Sequence, residues 1–210
     1  APALPPAQAM PARPPAIAAR LAEAPLPDFG SRDAPKLVAL GSALARAKGD
    51  RQAVRWTHAQ AMLARRRPDA ALGALAVMAA DEPLLRRVPA WRLTTAYAEV
   101  QLLRGDAAWA LLDDPALAAA PVACALRVRA AALMPRRVDA DELAIWLRCA
   151  TPAVANWPRR DRRLYALAAA RLGLTAGLPD AADRALASLP DRDAAANLLR
   201  ARLAVLRGDT

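Results

Sequence analysis

The sequence predicts an all-α protein. Ala, Leu and Arg, which favour helices, dominate its 210 residues, whereas the chain holds only one Phe, two Tyr and few β-branched residues. Apolar side chains also recur at three- and four-residue steps, as in Leu93, Ala96, Tyr97 and Val100, and so share one helix face. Short turns in which Gly or Pro precedes Asp separate such segments. Together these features predict many helices joined by short turns.

Residues 1–35 form a Pro/Ala-rich lead-in. The opening APALPPAQAMPARPPA is dense in proline, which helix interiors and central strands exclude. We expect an extended, flexible segment here, with at most a short helix over residues 17–24. The start at Ala1 fits a chain processed after a small-residue export signal and fits a cloning boundary equally well. No apolar run approaches the ~20 residues that span a bilayer, so we expect no membrane span in this chain.

Residues 36–210 repeat one pattern, in which an apolar helical run is followed by a turn and then by an Ala-rich helix. The predicted helices cover residues 36–48, 50–65, 69–80, 89–104, 106–113, 121–134, 139–150, 159–176, 179–188 and 191–207.

The tripeptide Arg-Gly-Asp occurs at residues 104–106 and again at 207–209. Related turns, all with Gly or Pro before Asp, lie at residues 48–50, 67–69, 177–180 and 189–191. We interpret them as helix boundaries, in which Arg ends one helix, Gly adopts the left-handed conformation and Asp caps the next helix. This interpretation explains the motif without cell adhesion, which would need a protruding loop.

The segment DRQAVRWTHAQAMLARRRPDAALGALAVMAADEP (Asp50 to Pro83) resembles a tetratricopeptide repeat in its 34-residue length, its two helices and its closing proline. In WRLTTAYAEVQLLRGDAAWALLDD, the residues Ala98, Gly105 and Ala110 match the small positions of that family, although its first-helix Gly is Ala98 here. The resemblance covers about residues 36–210, but 121–151 match poorly. It implies a right-handed superhelix of antiparallel helical hairpins, a tetratricopeptide-like solenoid. Other α-solenoids, including that of soluble lytic transglycosylases, remain open.

Catalytic and cofactor motifs are missing from the sequence. The single histidine, His58, lies in the middle of a predicted helix, and no serine has a nucleophile-elbow context. The sequence contains neither of two glycine-rich phosphate-binding motifs, GxxxxGK(S/T) and GxGxxG. It also shows no cluster of residues that could bind a metal. We therefore expect a non-enzymatic protein without a cofactor or a metal.

Cys124 and Cys149 lie in two predicted helices, equidistant from the turn between Arg136 and Arg137. In an antiparallel hairpin such residues face each other, so a disulfide is geometrically plausible and would add ~3 kcal/mol of stability. Two buried thiols are the equally weighted alternative. A disulfide would favour an oxidising compartment.

The net charge is +10, and arginines cluster at several predicted helix ends. Helix capping and a solvated rim account for most clusters, but stacked hairpins could also align them into a basic surface. The candidate residues are Arg136, Arg137, Arg159, Arg160, Arg162 and Arg163, with Trp157 beside them as an exposed aromatic platform. The tryptophans Trp56, Trp91, Trp109 and Trp146 have core spacing instead, which disfavours nucleic acid as the ligand.

These features favour a protein–protein interaction scaffold that binds a protein or extended peptide, in particular an acidic one. By analogy with exported tetratricopeptide segments, it would belong to a bacterial cell-envelope or secretion assembly such as polysaccharide export, and would be periplasmic or exported. A cytoplasmic location is the alternative. Competing functions are an accessory domain of a larger enzyme, such as a lytic transglycosylase, and a basic surface for an anionic polysaccharide or nucleic acid.

The closing LAVLRGDT resembles the end of the first helix of a repeat and the turn that follows it. The second helix of that repeat, which Asp209 would cap, is missing from the sequence. A solenoid's terminal helix exposes an apolar flank unless something covers it. We expect Leu199, Leu203 and Leu206 to form an uncovered face, the repeat domain to be truncated at this end, and the chain to self-associate there.

Overall fold

The computed structural model describes residues 16–30, 37–47, 51–135 and 137–208. These described residues are helical and contain no strand, which confirms the all-α prediction. The α-helices are α1 Ile17–Glu23, α2 Leu37–Arg46, α3 Arg51–Ala64, α4 Pro68–Asp81, α5 Pro89–Gln101, α6 Gly105–Leu112, α7 Pro121–Ala131, α8 Ala140–Asn156, α9 Arg159–Thr175, α10 Pro179–Ala187 and α11 Ala194–Arg207; two 3₁₀-helices span Pro83–Arg87 and Pro115–Leu117.

From α2 onward, consecutive helices pack against each other, and the closest pairs are α3 with α4, α5 with α6, α7 with α8, and α9 with α10, whereas α1 packs on α5. A second set of contacts joins every other helix, since α5 packs on α7, α7 on α9, and α9 on α11. Helix α7 lies at the centre of this arrangement, and every residue from Val122 to Ala131 is buried. Within the described part of the chain, no helix is both long and apolar enough to cross a membrane.

The lead-in is more closely packed than its composition suggests. Helix α1 forms within the predicted range and buries Ile17 and Leu21. The Ala18 N–H donates to a carboxylate oxygen of Glu82 at 3.1 Å, and the ring of Phe29 stacks on Tyr97 with centroids 4.1 Å apart. Residues 16–30 are therefore part of the packed structure, while residues 1–15 and 31–35 lie outside the described residues.

The turn interpretation is wrong at the first Arg-Gly-Asp. The left-handed residue there is Leu103, with φ of 62°, and Gly105 begins α6 in a buried position. A Cβ on Gly105 would lie 2.8 Å from the Ala130 carbonyl oxygen, so glycine is required there by close packing between α6 and the end of α7. Asp106 lies in the first helical turn, but no side-chain hydrogen bond caps α6. Its contribution is limited to the helix dipole.

At other turns the left-handed glycines form as predicted, but the capping aspartates are not the predicted ones. Gly177 and Gly208 are left-handed, with φ of 72° and 81°, as expected for residues that end a helix. Among the described α-helices, the N-caps that form side-chain hydrogen bonds are Asp139, which accepts from the N–H groups of residues 141 and 142, and Asp193, which accepts from those of 195 and 196. Neither cap belongs to the predicted turns. The turn at 48–50 and Asp209 lie outside the described residues.

Helix boundaries agree with prediction to within about three residues except at the end of α8. Helix α8 continues through Pro152 to Asn156, six residues past its predicted end at 150, because Ala153 on its last turns is buried against the core. Helix α11 begins at Ala194 rather than at 191, since Asp193 caps it.

The predicted uncovered face at the C-terminal end is wrong in register. Leu199 and Leu203 are buried against α9 and α10, and only Leu206 of the three is exposed. The exposed aliphatic side chains of α11 are instead Leu198, Val205 and Leu206, with exposed fractions of 65, 67 and 64 %.

Candidate functional site

The predicted aromatic platform is wrong, because Trp157 is only 2 % exposed. Its indole N–H donates to the Asp28 carbonyl at 2.9 Å, and its ring contacts Tyr97 and Tyr165 with centroids 6.3 and 6.4 Å away. The lead-in supplies this hydrogen bond and thereby fixes Trp157 in the interior. The arginine-rich sequence around Trp157 gave no indication of that long-range contact, which joins residues more than 100 positions apart.

The predicted basic residues that the structure describes lie at the surface. Arg137, Arg159, Arg160 and Arg162 are exposed, and Arg136 lies outside the described residues. Arg163 is engaged, since its guanidinium donates to both carboxylate oxygens of Asp193, with an Nη2–Oδ1 distance of 2.9 Å. Of these arginines, Arg162 lies in a groove, which is described below.

Cys124 and Cys149 are joined in a disulfide between α7 and α8, with their Cα atoms 5.9 Å apart. Cys124 is buried and Cys149 is partly exposed. The bond joins a residue near the start of α7 to one near the middle of α8, so it ties the two helices of this hairpin together away from their connecting turn.

A buried ion cluster in the middle of the molecule is absent from the sequence prediction. Asp161, which is 1 % exposed, accepts from Arg66 through both carboxylate oxygens, with Nη1–Oδ1 at 2.9 Å, and from Arg129 at 3.3 Å. Burial lowers the pKa of Arg129, while Asp161 acts in the opposite direction. Burial also raises the pKa of the neighbouring Tyr97 to about 12, and Asp161 adds to that rise. The cluster joins the end of α3 to α7 and α9, and its charges are used to hold these helices together.

Several single arginines bind the carbonyl groups that a helix end leaves without partners. Arg92 and Arg127 reach the end of α6, where Arg92 donates to Leu111 at 2.9 Å and Arg127 donates to Leu112 at 2.8 Å. Arg200 does the same at the end of α10, donating to Leu186 at 3.0 Å. These three arginines thus serve helix termination, the role that the capping account of the sequence gives to arginines at helix ends.

One groove, which we call the arginine groove, lies between α8, α9 and α10 and has a volume of about 370 Å³. Each helix contributes one arginine to its lining, namely Arg148, Arg162 and Arg184, and all three are exposed. None of the three forms an ion pair within the described part of the chain. No acidic residue is among the described residues that line the groove.

The floor of the arginine groove is apolar. Ala166 and Ala169 of α9, Leu147 of α8 and Ala185 of α10 form most of it, and Tyr165 adds an aromatic ring. Burial raises the pKa of Tyr165 to about 12, so its phenol stays protonated below that pH and can donate a hydrogen bond. This combination can hold a ligand that is apolar in its middle and anionic at its edges.

A second groove, which we call the C-terminal groove, lies between α9 and α11 and has a volume of about 460 Å³. Its apolar lining includes Leu174 of α9 with Leu198, Val205 and Leu206 of α11. Arg171 and Arg202 also contribute to the lining. An exposed aliphatic cluster of this kind is typical of an interaction surface.

His58, the only histidine, lies half-buried in α3 and lines neither groove. Among the described residues, no group of three or more His, Cys, Asp or Glu side chains could hold a metal ion. The two grooves are the candidate sites, because their side chains offer apolar contact, positive charge and, at Tyr165, a hydrogen-bond donor.

Comparison of the chain with protein-family models, with curated proteins and with solved structures finds no match. The resemblance to tetratricopeptide repeats therefore rests on the residues quoted above, and the functional argument rests on the grooves.

Proposed function

We propose that this protein is a non-enzymatic scaffold that binds another protein in the grooves between its helices. The observation that carries this proposal is the C-terminal groove, where Leu198, Val205 and Leu206 are each about two-thirds exposed on one side of α11. Contiguous aliphatic surface costs free energy in water, and a partner that covers it gains about 25 cal/mol for each Å² buried. Apolar side chains of another protein would suit such a surface.

We further propose that the helices stack as a right-handed, tetratricopeptide-like solenoid. The alternating contacts support this arrangement, since α5 packs on α7, α7 on α9 and α9 on α11, while α6, α8 and α10 pair with α5, α7 and α9. A stack of hairpins presents grooves between successive units, which is how such proteins bind extended segments.

A place in a bacterial cell-envelope or secretion assembly, including polysaccharide export, is part of the same proposal. The Cys124–Cys149 disulfide supports an oxidising compartment such as the periplasm, because disulfides persist there and are rare in the cytosol. The analogy with exported tetratricopeptide segments supports the type of assembly.

Site-specific photocrosslinking tests the scaffold function. A photoreactive amino acid replaces Leu198 or Val205 in the C-terminal groove, and a control variant carries it at Leu84, which is 63 % exposed on the first 3₁₀-helix. In the cells that make the protein, we expect a discrete heterologous adduct from positions 198 and 205 and none from position 84. Equal labelling from all three positions, or no adduct, would count against the proposal. An adduct between two copies would instead support self-association.

A further inference from the structure

We infer that the arginine groove binds an acidic segment of a partner protein, in which carboxylate side chains flank an aliphatic one. This inference deepens the proposed scaffold function and rests on it. The arginine groove is a different site from the C-terminal groove, and its side chains indicate which kind of peptide would bind there.

The position of the side chains carries the first step. Arg162, Tyr165, Ala166 and Ala169 follow the spacing of one helix face, so α9 presents a continuous strip to the groove. Helices α8 and α10 lie on either side of it, and Arg148 and Arg184 extend from them. One cationic group thus comes from the floor helix and one from each flanking helix.

The charge of the groove carries the second step. Several arginines of the described chain bind a carboxylate or a helix-end carbonyl, as Arg66, Arg127 and Arg163 do. The three arginines of the groove make no such contact among the described residues, and they line one groove whose described lining includes no acidic residue. An anionic ligand would supply the missing counter-charge, and guanidinium groups bind carboxylates through two parallel hydrogen bonds.

The remaining polar groups indicate which anion. The hydroxyls of Thr151 and Ser188 contact carbonyls of their own helices, those of Leu147 at 3.1 Å and Ala185 at 2.7 Å. A polysaccharide would bury many hydroxyl groups against a floor that offers few free hydrogen-bonding groups, which disfavours a polysaccharide as the ligand. Small alanine side chains on α9 and α10 let a peptide approach closely, and an aliphatic side chain would bury its surface on Leu147 and Tyr165.

Fluorescence anisotropy with a short fluorescein-labelled peptide tests the inference. The probe carries Asp and Glu on both sides of a Leu, and a matched peptide has Asn and Gln in their place. The groove variant combines R148Q, R162Q and R184Q, and the control variant combines R86Q, R87Q and R192Q at exposed arginines outside both grooves. Both variants lose three positive charges, and circular dichroism verifies that both keep their helical content.

We expect the groove variant to bind the acidic peptide about tenfold more weakly than the native protein, and the control variant to change less than about twofold. The Asn/Gln peptide should bind as weakly to the native protein as the acidic peptide binds to the groove variant. Equal loss in both variants would mean that net charge alone attracts the peptide, and equal binding of both peptides would also overturn the inference. Dextran sulfate is the third probe, and binding that is tighter than the peptide's and lost only in the groove variant would make the site one for polyanions instead.

Failure here is distinguishable from failure of the scaffold function. If crosslinking at Leu198 succeeds while the groove variant binds the peptide normally, the protein is a scaffold and only the assignment of the arginine groove is wrong.

Discussion

Helices α7 and α11 have similar compositions, rich in Ala, Arg and aliphatic residues, yet α7 is far more buried than α11. Helix α7 is enclosed by α5, α6, α8 and α9 and is buried on all sides, including Arg127 and Arg129. Helix α11 packs mainly against α9 and α10 and buries only Ala196, Leu199 and Leu203. The helices that surround a helix, rather than its composition, therefore decide whether its arginines are buried or exposed at the surface.

The largest expected effect concerns the interior around α7. Replacing Asp161 by Asn leaves Arg129 buried without its counter-charge, and such a loss costs about 3 to 5 kcal/mol of unfolding free energy. Urea denaturation of the native protein and the D161N variant measures the difference.

Asp81 provides the matched control for Asp161. It pairs with Arg55 at the surface and is about half exposed, so D81N should cost less than about 1 kcal/mol. If the two substitutions have similar effects, the ion cluster around Asp161 contributes no more than a surface pair, and the contrast between the interior and the surface fails.

The disulfide is the next largest contribution to the α7 region. Reduction of the Cys124–Cys149 bond should lower the unfolding free energy by about 3 kcal/mol, because the unfolded chain regains the entropy of an open loop. Thermal denaturation with and without a reductant measures the change. The double variant C124A/C149A controls for other effects of the reductant, since its melting temperature should not respond to it.

Two adjacent leucines, one on the buried face of α11 and one on its exposed face, test how far this helix is covered. Leu199→Ala removes a buried side chain and should cost about 2 to 3 kcal/mol, whereas Leu198→Ala, one residue away and exposed, should change stability by less than about 0.5 kcal/mol. Denaturant unfolding of the two variants decides between this register and the originally predicted face. Similar losses in both would mean that α11 is covered on both sides.

Local sequence patterns predicted most helices, because apolar spacing and turn residues act within a few residues of one another. They could not predict which acid would be buried: Asp161 lies between two arginine pairs, and its partners Arg66 and Arg129 come from distant helices. Trp157 was misjudged for the same reason, since Asp28 provides its hydrogen-bond partner. Of the candidate basic surface, only Arg162 lies in the arginine groove, because the other two arginines there come from helices that only the packing brings together.

The glycines of the two Arg-Gly-Asp sequences differ in how closely other atoms pack around them. Gly105→Ala places a methyl group 2.8 Å from a backbone oxygen at the end of α7, so we expect a loss of about 2 kcal/mol. Gly208→Ala meets no neighbouring atom and is opposed only by its left-handed conformation, which costs about 1 kcal/mol. Thermal melts of both variants measure the losses, and a larger loss at Gly208 would reverse our assignment of the close approach to Gly105.

The smallest expected effect distinguishes an aspartate that caps a helix from one that only follows a turn. Asp139 accepts the residue 141 N–H at 2.8 Å and caps α8, so Asp139→Ala should cost about 1 kcal/mol. Asp106 makes no capping hydrogen bond, and its removal should cost only about 0.3 kcal/mol through the lost interaction with the helix dipole. Urea unfolding at low ionic strength compares the two variants, and added salt should reduce the Asp106 effect further because it screens the dipole. Equal losses that persist in salt would show that Asp106 is a cap after all, and would return the first Arg-Gly-Asp to the same class as the capped helix starts.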